Sequence, residues 1–179
     1  MQLRRGNDWK QAGVVLGAVI ALTAIPAALA RMAPVREESV PAGTEITLTA
    51  AGEEPDSVGV RIRADGWRAL PTGDPTSAVL NSPDGGVLLI TVVNGVTDFG
   101  AAAEWRRKVL GLQAFPVAFD GGEISNRNGF AGPTCRGEKY VGVCAILGNH
   151  NLAVSLMLTG ERSGAALENV IETLRVVES

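Results

Sequence analysis

The sequence predicts an α+β domain, an antiparallel sheet with two helices packed on one face, preceded by a single N-terminal transmembrane helix or signal segment. Three observations lead there. Short apolar runs recur between turn signals from residue 45 to 158, and most of the connections are short enough for hairpins. Two segments, near 98–112 and 163–174, repeat apolar residues at helical spacing. Ala12 to Ala30 carries no charged side chain.

The N-terminal segment sets the compartment. Its nineteen residues would span about 28 Å as a helix, close to the hydrocarbon thickness of a bilayer. Arg4, Arg5 and Lys10 precede it, and Arg31 and Arg36 follow it. Residues 1–11 are read as a cytoplasmic tail too short to hold a domain, so the folded part is expected on the far side of the membrane. Two fates stay open. One is a single-pass plasma-membrane anchor. The other is a signal peptide cut after Ala28-Leu29-Ala30, which has the small-x-small form of a cleavage site. Residues 31–56 are read as an extracytoplasmic linker and 57–179 as the globular domain.

Within the linker, Glu45 to Thr49 alternates polar and apolar residues as a short strand does. Val58, Val60 and Ile62 alternate with Gly59, Arg61 and Arg63, a half-buried strand with one wet face. Asp65-Gly66 turns the chain into Trp67–Leu70. Ser77–Asn81 and Val87–Val93 flank Pro83-Asp84-Gly85-Gly86, which is strong hairpin chemistry. The unbroken apolar run at 87–93 suits a central strand covered on both faces. Asp98 is an expected N-cap, and the helix after it is predicted to bury Ala102, Trp105, Val109 and Leu112. Phe115–Phe119 and Glu123–Asn126 read as strands separated by a turn at Asp120-Gly121-Gly122. Arg127 to Pro133 reads as a glycine-rich loop. Tyr140–Leu147 and Leu152–Leu158 form a hairpin through Gly148-Asn149-His150-Asn151. Ser163 is the expected cap of a last helix with a Leu167, Val170, Ile171, Leu174 stripe, and Arg175–Val177 leaves it as a terminal strand.

Gly66-Trp67 early in the domain, a mid-chain helix, paired hairpin strands and a closing helix ending in Ile171-Glu172-Thr173-Leu174 together resemble the Mog1/PsbP-like group, which includes actinobacterial envelope proteins. The resemblance covers about Val58 to Val177 and rests on element order. It implies binding and accessory roles rather than catalysis, and it transfers no functional residue to a position here.

Composition narrows the function. After residue 30 the chain carries 13 basic and 18 acidic residues. A nucleic-acid partner needs several cations on one face, so none is expected. Arg106-Arg107-Lys108 is the one tight basic cluster there, read as the solvated face of its helix. Aromatics are only 4% of the chain, so the core is expected to be aliphatic. Cys135 and Cys144 are the only cysteines and, in an oxidising compartment, are read as a disulfide. A tight turn at Gly137-Glu138 would place Cys144 about 13 Å from the residue facing Cys135, so a bridge requires a wider connection.

No catalytic, metal-binding or cofactor-binding residues are assigned. His150, the only histidine, sits in a turn without a spaced nucleophile. Gly160-Glu161-Arg162-Ser163-Gly164 is one residue out of step with a serine-nucleophile elbow. Trp67 and Trp105 are core anchors on the plain reading and ligand-cleft aromatics on the functional one. The leading expectation is a membrane-anchored, non-catalytic accessory domain with a protein partner. The alternative is a secreted or anchored carrier of a small molecule or lipid, and a hydrolase ranks below both.

Overall fold

The computed structural model describes residues 37–52, 55–113 and 115–177. The chain divides into Met1–Arg36 and Glu37–Ser179, and the described residues all belong to the second unit. The hydrophobic segment Ala12–Ala30 lies outside the described residues. Among those residues no helix is long and apolar enough to cross a membrane.

The described residues of this unit form eleven strands and two helices. In order they are β1 (Glu38–Val40), β2 (Glu45–Thr49), β3 (Ser57–Arg61), β4 (Trp67–Leu70), β5 (Ser77–Asn81), β6 (Val87–Val93), α1 (Phe99–Leu112), β7 (Val117–Ser125), β8 (Ala131–Gly137), β9 (Gly142–Asn149), β10 (Leu152–Thr159), α2 (Ser163–Thr173) and β11 (Arg175–Val177). Eight strands form one antiparallel sheet in the order β1-β4-β5-β6-β10-β9-β8-β7, and three form a second in the order β11-β3-β2.

The fold is therefore mostly β, not the α+β arrangement expected, and the two helices do not share a face. Strand β10 makes the point, because side chains on a strand alternate sides. Leu152, Val154, Leu156 and Leu158 join the main core with Leu167, Val170, Ile171 and Leu174 of the α2 region and with Val58 and Val60 of the small sheet. Met157 points the other way, into a second cluster with Leu110 of α1, Val117 and the two cysteines. Small sheet and α2 thus cover one face, and α1 covers the other. That is why seven of the eight β10 residues are buried.

Three local readings change with it. Strands β1 and β2 belong to the folded unit, so residues 37–49 are not a linker. Strand β7 runs unbroken through Asp120-Gly121-Gly122, where the register with β8 shifts between Phe119 and Glu123: a bulge, not a turn. The segment 131–133, read as loop, begins β8. Its proline hid it, since an interior strand rarely tolerates one. Pro133 faces the bulge, where the ladder is already interrupted.

Helix α1 begins as expected, with Asp98 Oδ1 accepting the Ala101 N–H at 3.0 Å. Its buried stripe is rotated by one residue, however. Ala103, Arg106 and Leu110 face the sheet, while Trp105 and Leu112 are exposed. Arg106 is 8% exposed and its guanidinium donates to Ser155 Oγ and Thr91 Oγ1, each at 2.7 Å. Thr91 and Ser155 are register partners on β6 and β10. The sheet face under α1 presents hydroxyls, and a guanidinium satisfies them where an indole would leave them unpaired.

Candidate functional site

One end of the large sheet gathers the candidate site. Antiparallel pairing brings the end of β3, the start of β4, the β5–β6 turn, the end of β10 and the start of α2 to the same end of the molecule. Between them lies a half-open cleft of about 430 Å³. That is within the roughly 300–1,000 Å³ range of small-molecule sites.

Its floor is apolar: Ile62, Trp67, Leu158, Ala166 and Val170. Trp67 is 5% exposed, so most of the indole is committed to the core and the rest borders the cleft. Gly66, just before it, has φ +85°, a left-handed conformation that a side chain disfavours. A Cβ there would also stand 3.0 Å from Pro83. Glycine thus permits both the turn into Trp67 and the close approach of the β5–β6 turn that walls the cleft.

The rim is polar and carries Arg61, Arg63 and Arg162 against one acid, Asp84. Arg61 pairs with Glu45 at 3.2 Å, and Arg63 pairs with Glu172 at 3.1 Å. Arg162 has no ion pair among the described residues. A hydrogen bond from the Ser82 hydroxyl, aided by the charge of Arg162, holds the Asp84 carboxyl below its usual range. Asp84 is accordingly anionic at neutral pH.

Helix α2 opens onto this cleft without a side-chain cap. The residue in the cap position is Arg162, and Ser163 is the first helical residue, so the expected Ser163 cap does not form. Ser163 is 6% exposed, and its hydroxyl has no hydrogen-bond partner among the described residues. It lines the cleft beside Arg162.

The other residues singled out from sequence lie elsewhere. Trp105, 59% exposed, borders only a shallow hollow of about 40 Å³ together with Arg106, Thr91 and Ser155. It is not a core anchor. His150 occupies the β9–β10 turn in a left-handed conformation, φ +51°. That turn and Ser163 are at opposite ends of β10, separated by roughly 23 Å of strand. No Ser–His pair can form between them. Among the described residues no group of three His, Cys, Asp or Glu side chains could hold a metal ion. Cys135 and Cys144 form a disulfide across β8 and β9, where they are direct register partners with Cα atoms 4.8 Å apart. The four-residue connection 138–141 supplies the wider turn that the bridge requires.

Sequence reasoning named Trp67 but missed the rest of the cleft. Arg162 and Asp84 sit in loops 78 positions apart, and only strand pairing brings them together. One local signal existed: Glu161-Arg162 in place of a capping side chain before Ser163, which leaves a helix start with unspent donors.

No family model matches the chain, and no curated protein matches it. A crystal structure from Bacteroides thetaiotaomicron is similar to it at a TM-score of 0.40 and 16% identity, over 68% of this chain and 46% of that one. The chain thus spans about half the length of that protein, and a likeness of this degree carries no argument about function. None of these comparisons shows a likeness to the Mog1/PsbP-like group.

Proposed function

We propose that this chain is a non-catalytic binding protein of the cell envelope, whose folded unit lies outside the cytoplasm and holds a small, apolar-bodied ligand in the Trp67 cleft. One observation carries the reading: a cleft of about 430 Å³ with an apolar floor and a few polar groups at its rim. The nineteen uncharged residues of Ala12–Ala30 and the Cys135–Cys144 bridge both fit an exported or anchored protein in an oxidising compartment.

The test uses the full chain in nanodiscs of neutral lipid. Replacing Trp9 and Trp105 by Phe leaves Trp67 as the sole indole. Titration with 11-bromoundecanol, a heavy-atom quencher on an alkyl chain, should quench Trp67 along a saturable curve. Filling the cleft by Ala166→Leu should abolish the saturation. Quenching that rises linearly and equally in both proteins would sink the reading.

A protein partner is the second reading, supported by four exposed apolar side chains: Leu112 (87%), Val141 (66%), Trp105 (59%) and Tyr140 (55%). A photo-crosslinking residue at position 112 should then yield a discrete adduct in native membranes that the same residue at the exposed position 168 does not. Identical adducts at both positions would count against a partner on this face.

A further inference from the structure

We infer that the Trp67 cleft takes a single-chain carboxylic acid, with its alkyl chain on the apolar floor and its carboxylate at the start of α2, held by Arg162, the Ser163 hydroxyl and the free N–H groups of the first helical turn. This inference deepens the ligand-binding reading above and rests on it.

Four observations converge on that end of the cleft. The first is the helix start itself. Gly164 and Ala165 have no carbonyl four residues back within α2, and among the described residues their N–H groups have no other partner. Such donors, with the partial positive charge of the helix end, suit an anion. The second is Ser163, a residue only 6% exposed whose hydroxyl is nonetheless unpartnered among the described residues. No buried side-chain polar atom of the described residues lacks a partner, so this hydroxyl must be open to the cleft that it lines. The third is charge. At the rim Arg61 and Arg63 are already paired with Glu45 and Glu172, whereas Arg162 has no ion pair among the described residues and is the cation left to meet a negative group. The fourth is the floor, where Leu158 and Val170 offer only apolar surface to the rest of the ligand and Trp67 adds its indole, whose one polar group is the ring N–H.

The head group is a carboxylate rather than a phosphate because of Asp84. Asp84 and Arg162 line the same cleft, and their opposite charges largely offset each other there. The second charge of a phosphate therefore gains little net attraction, yet it adds to the cost of leaving water, which rises steeply with charge. One guanidinium outside any ion pair and one unpartnered hydroxyl among the described residues also match a two-oxygen head group.

The experiment uses the same full chain with Trp67 as sole indole, at pH 7, and compares 11-bromoundecanoate with 11-bromoundecanol. The two differ only in the charged end. The acid should saturate at a concentration lower by about tenfold or more, as a charge-assisted hydrogen bond implies. Arg162→Gln should bring acid and alcohol to within about twofold of each other. Ser163→Asp, which places a carboxylate at the helix start and so retains a favourable dipole interaction, should do the same without loss of thermal stability. Dodecanoate should displace the brominated acid at lower concentration than dodecyl phosphate. Equal saturation by acid and alcohol in the parent protein would overturn the inference and leave the apolar cleft standing. Tighter displacement by the phosphate would overturn the carboxylate assignment. Saturation by neither probe would remove both this inference and the reading beneath it.

Discussion

Arg106 Nε lies 2.7 Å from Ser155 Oγ, so a guanidinium on α1 is seated on the central strand β10 of the large sheet. Thr91, the register partner of Ser155, takes a second donor at the same distance. The guanidinium has no carboxylate in ion-pair range among the described residues, and burial lowers its pKa from the ordinary value. Two neutral hydroxyls therefore share the cost of holding a charge at the helix–sheet junction. This pairing fixes the rotation of α1: turning Trp105 inward would bury an indole against two unsatisfied hydroxyls.

The first prediction follows from that seat. Arg106→Met should destabilise the fold by roughly 1–3 kcal/mol, because the buried Ser155 hydroxyl and the half-buried Thr91 hydroxyl both lose their donor. Adding Thr91→Val and Ser155→Ala should recover most of the loss, since an apolar trio has nothing to satisfy. Thr91→Val with Ser155→Ala alone should be the worst of the three, leaving a buried charge without acceptors. Urea midpoints measure all of them. An Arg106→Met protein as stable as the parent would show that the seat contributes nothing.

The disulfide ties β8 to β9 within the cluster under α1, with both cysteines 1% exposed. It closes a loop of nine-residue separation. On the loop-entropy model the bridge stabilises by roughly 3 kcal/mol. Cys135→Ala with Cys144→Ala should lower Tm by about 6–12 °C for a unit of this size. Excess reductant during the melt should reproduce most of that fall in the parent and have no effect on the double variant. Two free thiols titrated in unfolded protein without reductant would contradict the bridge.

Glu45 connects all three strands of the small sheet. Its carboxylate receives Arg175 of β11 at 2.6 Å and Arg61 of β3 at 3.2 Å. It crosses β3 above Gly59, where a Cβ would stand 2.7 Å from Glu45 Oε1. The hydrogen bond from Arg175, then that from Arg61, outweighs burial and holds the Glu45 carboxyl below its usual range. A carboxylate with a depressed folded pKa adds stability above its unfolded value and loses it as pH falls through the folded value. The loss should therefore begin below about pH 4.3, the unfolded reference. Glu45→Gln should cost up to about 1 kcal/mol at pH 7, as a half-exposed pair warrants, and should nearly close the gap to the parent at pH 3. Gly59→Ala should share this behaviour by displacing the carboxylate. A constant gap between parent and Glu45→Gln from pH 7 to pH 3 would exclude the ion pairs as its cause.

Period and turn chemistry made much of the fold readable in one dimension. Val87–Val93 is a strand as expected, and it lies between β5 and β10 with Leu88, Ile90 and Val92 in the core, but only that face is fully buried: Val87, Leu89 and Thr91 are half-buried and Val93 is exposed. The stripe of the last helix held residue for residue, because its partners are purely apolar and any aliphatic stripe satisfies them. Reading failed where a polar or special residue serves a distant neighbour. Arg106 looked solvated because its hydroxyl partners lie 15 and 49 positions away. Gly132 and Gly148 looked like loop and turn punctuation. They are strand residues, and a Cβ on either would strike the ring of Phe99 within 3.0 Å.

The same division holds for the candidate site. Local pattern by itself determined most strands from β2 to β6, the β9–β10 hairpin, both helices and the start of a strand at Trp67, since each depends on residues within a few positions of one another; it did not show β1, β8 or the unbroken β7. Only the tertiary structure decided that the helices take opposite faces of one sheet, and that Arg162, Ser163 and Asp84 meet around Trp67. Those outcomes depend on strand order, and strand order is set by the burial of whole faces summed over the chain, which no short window of residues contains.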